Sequence, residues 1–424
     1  MIASSPGIPS RAMLARASSG LLWTEYWYLL AAVTAAVVTV DPLDWGLASE
    51  MVVKHLALAI SLPAIVLTYS GTRLRAPWRR TPPAASLTSV SWPLLLLAAL
   101  ILAGSLYARL IQDIQNTFLN VGLYMFMAFG AAAMMSKSHD PEALLRGYVY
   151  ILLAAAAVMS GYLIANFGVR QVYHEQIFLV IPMAVLFFAR QKGSLARWAG
   201  CLFFLAMAWL SAKYTSYLIG ALTVAYLALA VTVPRLAPLP GLRRTMLIYW
   251  TLLAGGLVTL GFAYLGLRGM LDLPTGNIDY RSHTYTLAWE RFLDSPLWGT
   301  LFSVEAVGKF TLYATGVSNN MLATHSDVLD LLANGGLLGI GLWMYGLARA
   351  ARVAHANVLH PKLLDRSWAP HAHTLAVMSA AGVVTYAFNP ILLQPSLAYL
   401  LWTSFGMLVG FALRAGAIRK GSSA

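Results

Sequence analysis

The sequence has 424 residues, of which 59% are hydrophobic and 11% charged, with a formal net charge of +13. A soluble globule of this size needs more polar surface than that, so the composition excludes a fold whose main solvent is water. The basic residues are scattered over short segments and form no aromatic-interleaved stripe, which excludes a nucleic-acid surface as the reason for the charge.

In chain order, the first twenty residues carry Arg11 and Arg16 but no cleavable apolar core with its own small-residue site, so the run beginning near Leu21 is expected to be retained as a first span. Apolar stretches close to or above the roughly 18 residues that cross a bilayer then recur to the end of the chain. Spans are expected at 23–40, 51–70, 88–107, 117–135, 145–167, 174–189, 198–212, 214–233, 246–267, 326–348, 373–390 and 395–413. The expected fold is an all-α polytopic transmembrane bundle of about twelve spans, with residues 1–424 forming a single membrane domain. The sole cysteine, Cys201, lies in an apolar run, so neither an intramolecular disulfide nor a cysteine metal cluster is available.

Alternate connections differ in charge. One set holds Arg11, Arg16, Arg73, Arg75, Arg79, Arg80, Lys137, Arg146, Arg190, Lys192 and Arg197, then Arg235, Arg243, Arg244, Arg349, Arg352, Lys362, Arg366, Arg414, Arg419 and Lys420. The other holds only Arg109, Arg170, Lys213, Arg268, Arg281, Arg291 and Lys309, a ratio of 21 to 7 with Lys54 inside a span. Because short cytoplasmic loops accumulate Lys and Arg, both termini are expected in the cytoplasm and the sparse set outside. The Pro- and Arg-rich stretch 73–84 reads as a cytoplasmic connection, and no internal repeat is visible.

One connection is long. Residues 268–324 exceed the roughly 12–15 residues beyond which loops are usually functional or disordered, and Tyr280, Tyr285, Trp289, Phe292, Trp298, Phe302, Phe310 and Tyr313 argue against disorder. Within it, Arg281 to Leu293 has helical character and Asp294-Ser295-Pro296 should stop that helix.

The next element carries the sharpest local signal, THSDVLDLLANGGLLGIGLW at 324–343. Thr324 and Asp327 have the spacing of a capping box, which puts His325 in the first helical turn at the outer membrane boundary. Gly335, Gly336, Gly339 and Gly341 would let that helix approach a neighbour closely. Spacing alone leaves His325 open between a hydrogen-bonded structural histidine and a functional group. Imidazole suits general-base work because its ordinary pKa of about 6.5 lies near operating pH.

Arg281, Lys213 and Arg170 form an outward cationic set on separate loops. Such cations can stabilise the charge that builds on a departing diphosphate, and they can equally bind lipid headgroups or acids such as Glu175 and Asp279. Asp327 is expected to cap the helix, and Asp330 either orients the imidazole or pairs with a cation. His371 and His373 have no nearby carboxylate partner, so a metal site there is not expected. Lys54 and His55 lie in the second span, where snorkelling or a helix-helix hydrogen bond suffices. No P-loop, dinucleotide fingerprint or acidic D-x-D pair occurs, so nucleotide hydrolysis and metal-nucleotide-sugar chemistry are unsupported.

Together the long loop and the His helix resemble the O-antigen ligase family of bacterial inner-membrane glycosyltransferases. His325-Ser326, nine residues, Gly336, two residues and Gly339 fit the family's spacing for the opening of a late transmembrane helix. Arg281 with Ala288-Trp289, Phe292 and Ser295-Pro296-Leu297-Trp298-Gly299 is similar to the family's upstream stretch, and the likeness runs from about Lys213 to Gly341. The chain departs from it at Ala212-Lys213, where many relatives have Ser-Arg, and at Asn334, where they have an acid. Lysine keeps the charge at that turn but loses the bidentate fork.

The resemblance implies a GT-C-like membrane glycosyltransferase working at the periplasmic face without metal or other cofactor. It implies transfer of polysaccharide from an undecaprenyl-diphosphate carrier to a sugar hydroxyl of lipid A-core, in lipopolysaccharide biosynthesis and with inversion. His325 would deprotonate the acceptor, while Arg281, with Lys213 and Arg170, would hold the diphosphate. The same signature occurs in O-antigen polymerases and protein O-oligosaccharyltransferases, which stand as alternatives. A secondary transporter shares the twelve-span plan, but it should carry its ionisable groups near the midplane in paired halves.

Overall fold

A computed structural model describes residues 84–113, 118–138, 140–165, 180–190, 194–210, 214–236, 278–304, 310–312, 317–319, 326–359, 366–385 and 395–422, together with residue 363 and a few helical positions between 25 and 33. The expected spans 51–70 and 246–267, and most of 23–40, lie outside the described residues. In chain order the helices are α1 (Ala84–Ile111), α2 (Phe118–Lys137), α3 (Pro141–Ala165), α4 (Ile181–Arg190), α5 (Ser194–Leu210), α6 (Tyr214–Leu236), α7 (Ile278–Asp294), α8 (Asp327–Ala354), α9 (Ala369–Thr385) and α10 (Pro395–Ser422). Strands β1 (Phe310–Leu312) and β2 (Val317–Asn319) make a short antiparallel ribbon between α7 and α8, pairing Thr311 with Ser318.

The architecture is helical, as hydropathy requires, and α1 to α6 and α8 to α10 fall on expected spans. Among the described residues four helices are long and apolar enough to cross a membrane: Ser89–Ile111, Pro141–Gly161, Asp327–Leu359 and Ala398–Ala417. Shorter apolar helices cover Val121–Lys137, Arg197–Leu210 and Ser216–Leu227. Hydrogen bonding within a helix satisfies every interior peptide group, which is the condition for crossing a hydrocarbon core.

The helix in the middle is α10, whose apolar window is 78% buried, as expected of a helix that is apolar all round. It lies closest to α2, where Gly406 and Gly410 face the carbonyl oxygens of Ala128 and Ala132 with no room for a side chain. Two small residues four apart on one face let two backbones approach, and in lipid that close packing replaces the hydrophobic effect as the force holding helices together. Tyr148 on α3 fixes a third helix to this pair: its hydroxyl donates to Leu400 O at 3.1 Å and sits 3.1 Å from Ser404 Oγ.

By contrast α1 stands at the edge, only 33% buried, with Trp92, Leu96, Leu106, Tyr107, Leu110 and Ile111 exposed. It runs antiparallel to α8. Leu94 packs on Gly346, and one turn further along α8 Arg349 Nη2 donates to Ser89 Oγ at 3.1 Å. Beyond Ala354, α8 widens into a π-helical turn at His355–Leu359.

Candidate active site

The described part of the candidate site is built where α7 meets the first half of α8. Helix α8 starts two residues later than the Thr324–Asp327 spacing suggests. Its N-cap is Ser326, an extended residue (φ −146°, ψ 102°) whose Oγ accepts from Leu329 N at 3.3 Å. An N-cap side chain reaches the amide three positions on, and Ser326 meets that geometry. Asp327 is therefore the first helical residue and not the cap.

The opening turns of α8 carry a buried polar stripe. Ser326, Asp327, Asp330 and Asn334 are each at most 2% exposed and recur at helical spacing on one face. Buried polar atoms are costly unless they are hydrogen-bonded, and the carboxylates at this end also meet the positive end of the helix dipole. Asp330 N donates to Ser326 O at 3.0 Å, and its own carbonyl accepts from Asn334 Nδ2 at 2.9 Å. Past Asn334 the buried face turns apolar, with Leu342, Trp343 and Ala350.

Between the two halves α8 is broken. Gly336 has φ 57° and ψ −159°, a region essentially confined to glycine. The break frees backbone groups that the segment after α7 then satisfies. Leu337 N donates to Pro296 O at 2.8 Å, Leu338 N donates to Leu297 O at 2.9 Å, and Phe302 N donates to Asn334 O at 3.2 Å. A Cβ on Gly336 would stand 2.6 Å from Leu297 C and Trp298 N, and one on Gly299, also at positive φ (59°), 2.6 Å from Asn334 C. The two glycines thus let a turn seat itself in the gap of a broken helix. Of the four glycines expected to meet a neighbouring helix, Gly335 and Gly336 meet this turn instead, a Cβ on Gly339 would have Leu97 of α1 at 3.9 Å beside Phe302, and Gly341 faces open space.

The side chain of Asn334 closes the joint. Its Oδ1 accepts from Thr300 Oγ1 at 3.1 Å and from Arg291 Nη1 at 3.3 Å, tying α7, the turn and α8 together at one buried amide. Phe302, 1% exposed, fills the space beside Gly335 and meets the ring of Phe118 edge-on at 5.3 Å. Replacing Asn334 with Leu should strand these donors and lower stability by about 1–3 kcal/mol. Asn334→Asp keeps the acceptor and turns the Arg291 contact into an ion pair but loses the donor to Asp330 O, so it should also lower stability, as thermal unfolding in detergent would read.

These pairings set the direction of α7. Arg291 meets Asn334, the buried Ala288 meets Ala333 with Leu287 and Leu329 beside them, and Pro296 and Leu297 follow onto Leu337 and Leu338. The two helices therefore run the same way. Arg281 is in the first turn of α7, ten residues before Arg291, and Ser326 is eight before Asn334. At 1.5 Å per residue these are about 15 and 12 Å, so the starts of both helices lie at the same end of the pair.

No protein-family model matches the sequence, and no curated protein matches it. The local geometry and the chemistry of its residues therefore carry the functional argument.

Of the residues singled out from sequence, Asp327 and Asp330 lie in the buried stripe, and Arg281 is on α7 with its side chain outside the described part. His325, Lys213 and Arg170 lie outside the described residues. His371 and His373 have separate neighbours: the ring of His371 stands edge-on to Tyr150 at 5.7 Å, and His373 Nδ1 is 2.7 Å from Tyr226 Oη. Sequence reasoning gave no role to Arg291, Thr300 or Phe302, and noted Asn334 only as a departure from a family pattern. The signal that could have found them is the pair of glycine positions, Gly299 and Gly335-Gly336, that bracket their contacts.

Proposed function

We propose that the chain is a metal-independent, inverting glycosyltransferase of the O-antigen ligase type, a twelve-span protein of the bacterial inner membrane with both termini in the cytoplasm. It transfers polysaccharide from undecaprenyl diphosphate to a sugar hydroxyl of lipid A-core at the periplasmic face. The observation that carries this reading is the joint between α7 and α8, which holds the turn bearing Arg281 and the residue following His325 at one end of a rigid pair.

In this reaction the acceptor hydroxyl loses its proton to His325 as its oxygen attacks the anomeric carbon, and the bond from that carbon to the diphosphate oxygen breaks. Arg281, with Lys213 and Arg170, neutralises the charge that accumulates on the leaving diphosphate. Asp330 and Asp327, buried beside Ser326, put two carboxyl groups in the first turn of α8, close in sequence to His325. Both substrates are lipid-anchored, so a site at the membrane surface brings them together at high effective concentration.

The test is complementation of a host lacking its own ligase. The chain should restore lipopolysaccharide bearing long O-antigen, and a host left with bare lipid A-core despite inserted protein would count against the proposal. Arg281→Lys keeps the charge but removes the two-pronged contact, and should cut the transfer rate about tenfold. An unchanged rate would remove bidentate diphosphate binding from the mechanism.

A further inference from the structure

The exposed surface of α7 is divided lengthwise. Trp289 and Leu293 follow one another four residues apart, as do Glu290 and Asp294, so the helix presents an apolar stripe and an acidic stripe side by side. The apolar stripe continues past the end of the helix through Leu297, Trp298 and Leu301, which are 53%, 54% and 44% exposed. For a connection standing in water this is an unusual outward face.

Two helices act as rulers for where this turn sits. Leu301 packs on Gly104 of α1, seven residues before the end of the candidate span Ser89–Ile111. Gly336, which receives Leu297 and Trp298, is nine residues into the candidate span Asp327–Leu359. At 1.5 Å per residue these positions are about 10 and 13 Å inside the ends of the two antiparallel helices. The α1 span of 23 residues is about 34 Å long against a hydrocarbon core of about 30 Å, so on the α1 ruler the turn is below the polar boundary; the α8 span of 33 residues, about 50 Å long, agrees when its excess is shared between the two ends.

Irregular backbone survives at that depth only where its polar groups are satisfied by protein. Here the amides of Ser295, Gly299, Leu301, Phe302 and Ser303 donate to Phe292, Ser295, Trp298, Asn334 and Thr300, and the carbonyls of Pro296 and Leu297 are taken by the break in α8.

We infer that the turn 295–302 and the apolar stripe of α7 form a re-entrant element embedded in the leaflet at which α8 begins, with Trp289, Leu293, Leu297, Trp298 and Leu301 against lipid acyl chains. The acidic stripe faces the headgroups and water. Tryptophan suits the boundary, being apolar in body with one polar tip. The connection 268–324 is then not wholly extramembranous. This placement rests on the membrane helices and not on the transferase reading, so either can fail alone.

Cys201 is the single cysteine, so Cys201→Ala gives a background for spin labels at one site each. The labels go at Leu293→Cys, Leu297→Cys, Trp298→Cys, Glu290→Cys and Asp294→Cys, in the full chain reconstituted into phosphatidylcholine vesicles. Collision with oxygen, which concentrates in lipid, should exceed collision with a water-soluble nickel chelate severalfold at 293, 297 and 298, and the order should reverse at 290 and 294. Nickel dominating at all five positions would place the element in water and overturn the inference. Labels at 293, 297 and 298 shielded from both reagents would overturn it too, by showing that another protein surface covers the stripe. Because all five positions are exposed, any substitution that fails to fold leaves the others to decide.

Discussion

A His325→Ala variant is expected to insert normally and to transfer glycan 10²- to 10⁴-fold more slowly, about the contribution of a positioned general base. The proposed acceptor is an unactivated sugar hydroxyl, and without a base its oxygen would attack only while still protonated. Imidazole is the side chain whose ordinary pKa of about 6.5 lets it accept that proton near neutral pH and release it afterwards. In the proposed reaction Arg281 bears the other half, so the double variant His325→Ala/Arg281→Ala should fall less than the product of the single effects if the two act in one transition state. Full-length lipopolysaccharide ladders from His325→Ala would remove the histidine from the chemistry.

The largest structural effect is expected at Gly336. Valine there must adopt backbone angles essentially confined to glycine, and its Cβ would collide with the backbone of Leu297 and Trp298. Expelling the turn also breaks the bonds from Leu337, Leu338 and Phe302, each costing about 1–3 kcal/mol if its buried group finds no other partner. The combined loss should exceed about 4 kcal/mol, in the range where single substitutions become diagnostic. Gly341→Ala is the control: five residues along the same helix, nothing stands within 4 Å of its Cβ, and it should be neutral or stabilise by up to about 1 kcal/mol. Thermal unfolding in detergent separates the two, and similar melting temperatures for both variants would mean that the joint at Gly336 contributes little.

Much of this architecture could be read from the residues. Helix α7 occupies Ile278–Asp294, close to the expected Arg281–Leu293, because Ser295-Pro296 denies the next turn its backbone pattern. The start of α8 was legible to within two residues, since Thr324, Ser326 and Asp327 are all cap-forming types and only the backbone angles select Ser326.

The break at Gly336 was not legible. Gly335-Gly336 inside an apolar run reads as a site for a close helix neighbour, and periodicity carries no information about a turn some forty residues upstream that supplies the missing hydrogen bonds. Asn334 was obscured for the same reason: its partners Arg291 and Thr300 come from another part of the chain, and only the three-dimensional register brings them to one amide. The stripe Ser326, Asp327, Asp330 and Asn334 has helical spacing that can be read from sequence, but its burial depends on the packing of the whole joint.

Ligase and polymerase differ in what receives the chain, and purified protein in vesicles can separate them. The preparation would be given preassembled polymer on undecaprenyl diphosphate together with lipid A-core, and the products resolved by size. Ligase chemistry predicts polymer joined to lipid A-core with release of undecaprenyl diphosphate, lost in His325→Ala and unaffected by a metal chelator. Lengthening of the carrier-linked chain with lipid A-core left untouched, or no transfer at all by folded protein, would contradict it.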